Sequence, residues 1–265
     1  MKAKLNWIIP EPTRTPGTIN TSLGLDFETV YSIYNDSVID KDYYNYVKGK
    51  KVIIVGPAGY LRGLGRGKFI DDFDIIVRLN RSFPIEEVDF EDLGSQTHIR
   101  YHNGSTNPVE GGPLHLDKVE GTGLKYISSV FPRHLDYFDH HIKVIEKEME
   151  EAKTSVKLHC YTDIEQFITF HHMMQTRPNA GIATILDLIN YDPSQLHISG
   201  MTFFTGKSYI DTYSEKANHG AEHHINRQLE NHAQGPQMDM VKLLFDNLDF
   251  ITMDDEVKQS FGGNR

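Results

Sequence analysis

The sequence predicts an α/β fold: a single Rossmann-like domain with a mostly parallel sheet flanked by helices. Three observations predict it. The continuous β-branched run Val52–Val55 stops at Gly56, which is typical of a buried parallel strand. A similar apolar run follows within residues 74–80. Further along, strand patterns alternate with helix patterns, and parallel strands need such crossovers.

The remaining elements follow in order. Strands are predicted over 125–130, 155–161 and 196–204, and helices over 133–152, 164–174 and 181–189. Residues 1–50 are predicted to be an N-terminal extension that packs on the domain, with one or two short helices. Because no repeat or linker interrupts residues 51–265, we expect them to form the main domain.

Composition excludes several classes of function. The formal net charge of −10 argues against nucleic-acid binding, which needs a basic surface. The sequence has no apolar stretch of about 18 residues, so no membrane span is expected. Cys160 is the only cysteine, so no intramolecular disulfide can form. We therefore expect a cytoplasmic protein.

A glycine-rich connection, Gly56 to Gly67, follows the first predicted strand. Open α/β sheets bind ligands at the carboxyl ends of their strands, and glycines let backbone N–H groups approach a phosphate. The spacing differs from the dinucleotide and phosphate-loop motifs. The second strand also ends at Asn80 instead of the acidic residue that binds a nicotinamide ribose. NAD is thus disfavoured, and a tight turn without a ligand remains an alternative.

Four blocks resemble the sialylmotifs of glycosyltransferase family 29. The segment from Val55 to Asn80, continued by 92–97, resembles the large motif, and 177–183 resembles the small motif. The Tyr213-Ser214-Glu215 segment is similar to the aromatic–acidic motif. His232 stands where the family has the histidine of its very small motif.

The chain also departs from the family's pattern. Pro57 and Ala58 replace Asn and Ser in the large motif, and Asn179 and Ala180 replace Ser and Thr in the small motif. Gln237 occupies the position of the acidic residue after the motif histidine. These departures leave the transferred sugar open between sialic acid and a related ulosonic acid such as Kdo.

The resemblance implies a GT-A-like variant of the fold and an inverting, metal-independent glycosyltransferase without a cofactor. Its donor would be a CMP-sugar and its acceptor a hydroxyl of a glycan or glycolipid. His232 would be the general base, and one histidine of the cluster His219, His223 and His224 would assist the phosphate. No metal ligand is expected. The expected donor-binding residues are Gly56, Pro57, Ala58, Gly59, Asn80, Asn179, Ala180, Gly181, Gly200 and Met201.

Several alternatives remain at this stage. A Rossmann-like methyltransferase or dehydrogenase could use the same glycine-rich connection, and the chain could be a non-catalytic nucleotide- or glycan-binding relative. Arg62 could pair with the donor or form an ion pair with Asp71 or Asp72. The four-residue spacing of His219 and His223 suits a metal, but no third ligand is evident.

Overall fold

The computed structural model describes residues 25–35, 37–108, 110–135, 138–203, 208, 232 and 234–262. The described residues form one sheet of seven strands, all parallel, in the order β5-β4-β3-β2-β1-β6-β7. The strands are β1 Lys51–Val55, β2 Ile75–Leu79, β3 Ile99–His102, β4 Tyr126–Pro132, β5 Lys157–Tyr161, β6 Gln195–Ser199 and β7 Ile251–Met253. The predicted α/β fold with a parallel sheet is confirmed.

Helices cover this sheet. They are α1 Phe27–Ser32, α2 Lys41–Val47, α3 Gly67–Asp71, α4 Phe90–Leu93, α5 Asp139–Ala152, α6 Ile164–Met174, α7 Ala180–Ile189, α8 Gln234–Asn247 and α9 Asp255–Gly262. Helix α7 is buried along almost its whole length, and its sequence is apolar except at Thr184 and Asp187. Among the described residues, no helix is long and apolar enough to cross a membrane.

Two predicted boundaries were wrong by several residues, and one strand was not predicted. The helix expected over 133–152 begins only at Asp139, after β4 has continued to Pro132. The strand expected over 196–204 ends at Ser199, because Gly200 has a φ of +68° that breaks the extended conformation. Strand β3 was not predicted at all.

Residues 25–50 pack on the sheet. Val30 of α1 and Tyr43 of α2 are fully buried in the same apolar cluster as Val52 and Ile54 of β1. The division into an extension over 1–50 and a domain over 51–265 stays a prediction.

The strand order reverses between β1 and β6. Strands β2 to β5 extend the sheet on one side of β1, whereas β6 and β7 lie on the other side. Parallel α/β sheets bind ligands in the crevice outside the carboxyl ends of the strands at such a reversal. In this chain that crevice lies beside Val55 and its register partner Ser199.

Candidate active site

Two glycines meet at the reversal of strand order. The N–H of Gly56 donates to the carbonyl of Ser199 at 2.8 Å, and the N–H of Ala58 donates to the carbonyl of Gly200 at 3.0 Å. A Cβ atom on Gly56 would lie 2.4 Å from the Gly200 oxygen, and one on Gly200 would lie 2.6 Å from the Gly56 oxygen. Only glycine fits at either position, so the backbones of the two loops are in direct contact.

Met201 joins a third glycine to this pair. A Cβ on Gly181 would lie 2.4 Å from the Met201 Cε, and a Cβ on Gly56 would lie 2.7 Å from its Cγ. The thioether therefore packs between the loop after β1 and the first turn of α7. The structure thus brings together Gly56, Gly181 and the adjacent pair Gly200 and Met201, which come from three separate segments of the sequence.

Tyr60 and Asp254 support the Gly200 turn. The Tyr60 hydroxyl accepts from the Gly200 N–H at 2.7 Å and donates to Asp254 Oδ2 at 2.6 Å. Asp254 also accepts from Ser199 Oγ and His197 Nε2. Burial raises the pKa of Asp254, but the hydrogen bonds from His197, Ser199 and Tyr60 outweigh it and lower the pKa to about 2. This network could not be predicted from the sequence, since its members come from separate segments that share no motif.

Asn80 lies at the carboxyl end of β2. Its φ is +47°, a left-handed conformation that asparagine tolerates better than most residues. The backbone N–H donates to the Tyr101 carbonyl at 2.7 Å, and Oδ1 accepts from the Asn103 N–H at 3.0 Å. These bonds fix the orientation of the amide between the ends of β2 and β3.

The first turn of α7 presents backbone donors at the same edge of the sheet. Asn179 is the N-cap, and its Oδ1 accepts from the Ile182 N–H at 3.0 Å. The Asn179 N–H donates to Oε1 of the buried Gln237 at 2.8 Å. No described residue accepts from the N–H groups of Ala180 and Gly181. Together with the positive end of the helix dipole, these donors favour an anion at this position.

His232 lies next to this turn and is half-buried. Its Nδ1 is 2.8 Å from the backbone carbonyl of Arg177. Because a carbonyl oxygen only accepts hydrogen bonds, Nδ1 carries the proton and Nε2 carries the lone pair. Burial and the charge of Arg177 lower the pKa of His232 to about 4. The imidazole is therefore neutral at neutral pH, which a general base requires.

A comparison with protein-family models agrees with the resemblance to the sialylmotifs. The family model described as glycosyltransferase family 29 (sialyltransferase) matches residues 22–187. The chain belongs to glycosyltransferase family 29. It is thus a glycosyltransferase, and the methyltransferase and dehydrogenase alternatives are set aside.

Solved sialyltransferase structures are similar to this chain at low sequence identity, and the one with a TM-score of 0.50 shows the same fold. A mammalian sialyltransferase is 16% identical, with a TM-score of 0.48 over 91% of this chain and 81% of that one. A variant of the sialyltransferase CST-II in complex with CMP is 13% identical, with a TM-score of 0.50 over 78% and 87% of the two chains. An α-2,3-sialyltransferase from Campylobacter jejuni in apo form is 13% identical, with a TM-score of 0.47 over 86% and 82%. A search of curated proteins finds no significant match.

Within this family-29 fold, the second half of the glycine-rich connection is closed by a carboxylate. Asp92 accepts from the N–H of Gly63 at 2.6 Å and of Gly65 at 2.8 Å, and these bonds lower its pKa. The two blocks of the large motif are thereby held together. We expected N–H groups of the glycine-rich connection to donate to a phosphate. At Gly63 and Gly65 this was wrong, because both N–H groups already donate to Asp92.

The ion pair expected at Arg62 has a different partner. Its guanidinium contacts Asp89 at 3.0 and 2.9 Å and pairs with neither Asp71 nor Asp72. Asp71 instead accepts from the backbone N–H of Ser95. Arg62 is thus part of the scaffold beneath the glycine-rich connection.

The substituted positions of the motifs have defined contacts. In place of the family's Asn and Ser, the carbonyl of Pro57 accepts from Ser208 Oγ at 2.8 Å and Ala58 is nearly buried. Gln237 accepts through its amide oxygen, so an acidic side chain is not required for that contact. The Ala58 N–H bond to the Gly200 carbonyl places this segment beside Gly200. The contact of Pro57, Ala58 and Gly59 with a donor stays a prediction.

Two sets of predicted residues lie outside the described residues. They are His219, His223 and His224, and the segment Tyr213-Ser214-Glu215. Within the described residues, no group of three or more His, Cys, Asp or Glu side chains is placed to hold a metal ion.

Proposed function

We propose that this chain is an inverting sialyltransferase that moves sialic acid, or a related ulosonic acid such as Kdo, from a CMP donor to a hydroxyl of a glycan or glycolipid. The observation that carries the proposal is a neutral His232 whose lone pair lies on Nε2, next to the N-terminal turn of α7. The cytoplasmic location and the absence of a cofactor are part of the same proposal.

The donor would lie along the carboxyl edge of the sheet. Asn80 would hydrogen-bond the nucleotide, and the contact between Gly56 and Gly200 would let the nucleotide lie against bare backbone. The N–H groups of Ala180 and Gly181 would face the phosphate. The CST-II variant of similar fold was solved in complex with CMP, which supports this nucleotide here.

The reaction would need one proton transfer and one displacement. The acceptor oxygen attacks the anomeric carbon from the face opposite CMP, and its proton passes to Nε2 of His232. The bond between the anomeric carbon and the phosphate oxygen breaks, and its electron pair leaves with CMP. Negative charge then grows on the phosphate, where the first-turn N–H groups of α7 would stabilise it. Direct displacement inverts the configuration of the sugar.

We also propose that the transfer reaction does not need a divalent metal ion. The only D-x-D sequence of the 51–80 region, Asp72 and Asp74, lies before β2, at the amino edge of the sheet. There Asp74 Oδ2 accepts from the Lys51 N–H at 2.8 Å. The carboxylates are therefore at the opposite edge from His232 and Asn80.

Calorimetry with CMP, S-adenosylmethionine and NAD tests the nucleotide. We expect CMP alone to bind, and Asn80→Ala to weaken CMP binding while His232→Ala leaves it nearly unchanged. Transfer from CMP-sialic acid to lactose, followed with and without EDTA, tests the reaction, and turnover should survive EDTA. Failure of CMP to bind, or a strict need for added Mn²⁺ or Mg²⁺, would refute the proposal.

A further inference from the structure

Arg100 of β3 is a fully buried charge. A guanidinium that is out of water needs acceptors around it. Its Nε donates to the Asn80 carbonyl at 2.8 Å, and its terminal nitrogens donate to the carbonyls of Leu114 at 2.6 Å and Pro113 at 2.9 Å. The guanidinium also lies over the Phe83 ring, with Cζ 5.4 Å from the ring centroid. The planar fork is thereby fixed between two separate segments of the chain.

The first of these segments is the left-handed turn at Asn80. Its N–H donates to the Tyr101 carbonyl at 2.7 Å and its carbonyl accepts from Arg100, so β3 binds both backbone polar groups. Oδ1 of Asn80 accepts from the Asn103 N–H at 3.0 Å. No described residue accepts a hydrogen bond from its Nδ2. This nitrogen is therefore left to donate to a ligand, in a direction that the three hydrogen bonds set.

The second segment runs from Gly112 to Leu114 and meets the same turn. A Cβ on Gly112 would lie 2.8 Å from Cγ of Arg81, the residue after Asn80. The Gly112 carbonyl accepts from His102 Nε2 at 3.0 Å, and the next two carbonyls accept from Arg100. Three consecutive carbonyls are thus bound by buried side chains of β3. Such bonds hold a loop in one conformation.

We propose that Arg100 is a positioning residue for the CMP donor, which holds Asn80 and the 112–114 segment together as one unit. This inference rests on the proposed function, in which Asn80 hydrogen-bonds the nucleotide. Arg100 is buried and acts through Asn80 without contact with the donor. A binding group that is already ordered loses less free energy on association. Loss of the fork should therefore weaken donor binding and leave the transfer step unchanged.

The variant Arg100→Lys tests this role in the purified protein. Lysine keeps the positive charge, but its donors leave a single nitrogen and cannot span the carbonyls of both segments as the fork does. We expect the Kd of CMP and the KM of CMP-sialic acid to rise about 10-fold, with kcat for transfer to lactose unchanged. Calorimetry gives the Kd, and initial rates give KM and kcat. A folded Arg100→Lys variant with the wild-type Kd would overturn the proposal.

Arg78→Lys is the matched control. Arg78 of β2 is the register partner of Arg100 and is equally buried. Its guanidinium donates to Thr97 Oγ1 and to the carbonyls of Leu93 and Gln96, in the segment that precedes β3. We expect a similar loss of unfolding free energy in urea, with a Kd of CMP close to the wild-type value. Equal rises in Kd in the two lysine variants would mean general destabilisation and would contradict the role of Arg100.

A double-mutant cycle shows whether Arg100 acts through Asn80. In the Asn80→Ala background, Arg100→Lys should raise the Kd of CMP little further, because the group that it positions is gone. Two effects that add in full would show that Arg100 acts by another route, against the proposal. Failure of the proposed function would be distinct, since the wild-type protein itself would then not bind CMP.

Two glycine variants decide the question if Arg100→Lys does not fold. Gly112 and Gly121 have similar left-handed φ angles of +78° and +76°. A Cβ on Gly112 would press on Arg81, whereas a Cβ on Gly121 would have nothing within 4 Å. The two alanine variants thus share the backbone strain and differ in the contact. Gly112→Ala alone should raise the Kd of CMP, and equal Kd values in the two variants would overturn the proposal.

Discussion

At the scale of single residues, a backbone carbonyl decides which nitrogen of His232 can accept a proton. The Arg177 carbonyl accepts from Nδ1, so the lone pair is confined to Nε2. Burial and the Arg177 charge keep the ring neutral. One residue thus fixes the tautomer through its backbone and lowers the pKa through its side chain.

Replacement of His232 should affect turnover much more than donor binding. A general base contributes about 10²- to 10⁴-fold to a rate, so His232→Ala should lower kcat by that order. The Kd of CMP should stay close to the wild-type value, because the base would contact the acceptor oxygen. His232→Gln cannot accept the proton at neutral pH and should be similarly inactive. If His232→Ala kept more than about a third of wild-type kcat, the base would have to be sought among His219, His223 and His224.

The pH dependence follows from the same geometry. A base with a pKa of about 4 is lost only when the pH falls through that value. The acid limb of kcat/KM should therefore lie near pH 4, well below the ordinary histidine value of about 6.5. Initial rates at saturating CMP-sialic acid, with a check that the protein stays folded, give this profile. An acid limb near 6.5 would show that His232 titrates as an exposed histidine.

At the scale of elements, two helices distant in sequence build the turn that we propose faces the donor. Helix α8 supplies Gln237, whose buried amide oxygen accepts from the Asn179 N–H at 2.8 Å. Asn179 then caps α7. The position of the α7 N-terminus therefore depends on a hydrogen bond from outside the small motif.

Loss of that bond should weaken both folding and donor binding. Gln237→Ala leaves the partly buried Asn179 N–H without its acceptor, which costs about 1 kcal/mol of unfolding free energy. The Kd of CMP should rise with it, because the first turn of α7 is no longer held. Gln237→Glu keeps an acceptor oxygen and should restore CMP affinity. The control is Gln195→Ala, which loses a hydrogen bond to Thr252 at the opposite edge of the sheet. Equal CMP affinities in the two alanine variants would contradict the role of Gln237.

Strand β3 could not be predicted from the sequence, because its polar residues are buried. All four residues of β3 are buried, including Arg100 and His102. Arg100 donates to the carbonyls of Pro113 and Leu114, and His102 bonds the Gly112 carbonyl. These acceptors lie on a loop that follows the strand, so a local pattern cannot show that the charge is satisfied. Apolar runs such as Val52–Val55 have side chains that need no hydrogen-bond partner, and they were predicted correctly.

In the candidate site, too, some residues could be predicted from the sequence and others could not. The blocks around Gly56, Asn179 and Gly200 could be placed from the sequence, because they resemble motifs of the family and contain a local glycine or helix-cap pattern. The contributions of Tyr60 and Asp254 could not, since each depends on a contact between distant segments. For the same reason the closure of the glycine-rich connection by a carboxylate was not foreseen.

At the scale of the whole molecule, the histidines change the pH dependence of stability in opposite directions. Burial is the first cause of a lowered pKa at six described histidines: His98, His102, His115, His141, His171 and His232. His159 is the exception among the described histidines with a shifted pKa. Burial would lower its pKa, but the charges of Asp187 and Asp40 and their hydrogen bonds raise it.

These shifts predict a maximum of stability near neutral pH. A histidine with a lowered folded-state pKa binds more protons when unfolded, so the free energy of unfolding rises with pH up to about 6.5. His159 behaves in the opposite way: its stabilising effect is complete below about 6.5 and is lost as the pH rises through its higher folded-state value. Urea unfolding at several pH values between about 5 and 8 measures both slopes. His159→Gln should remove the decline above 6.5, whereas His98→Gln should flatten the rise below it. The prediction fails if His159→Gln, whatever its absolute stability, keeps the wild-type slope on the alkaline side.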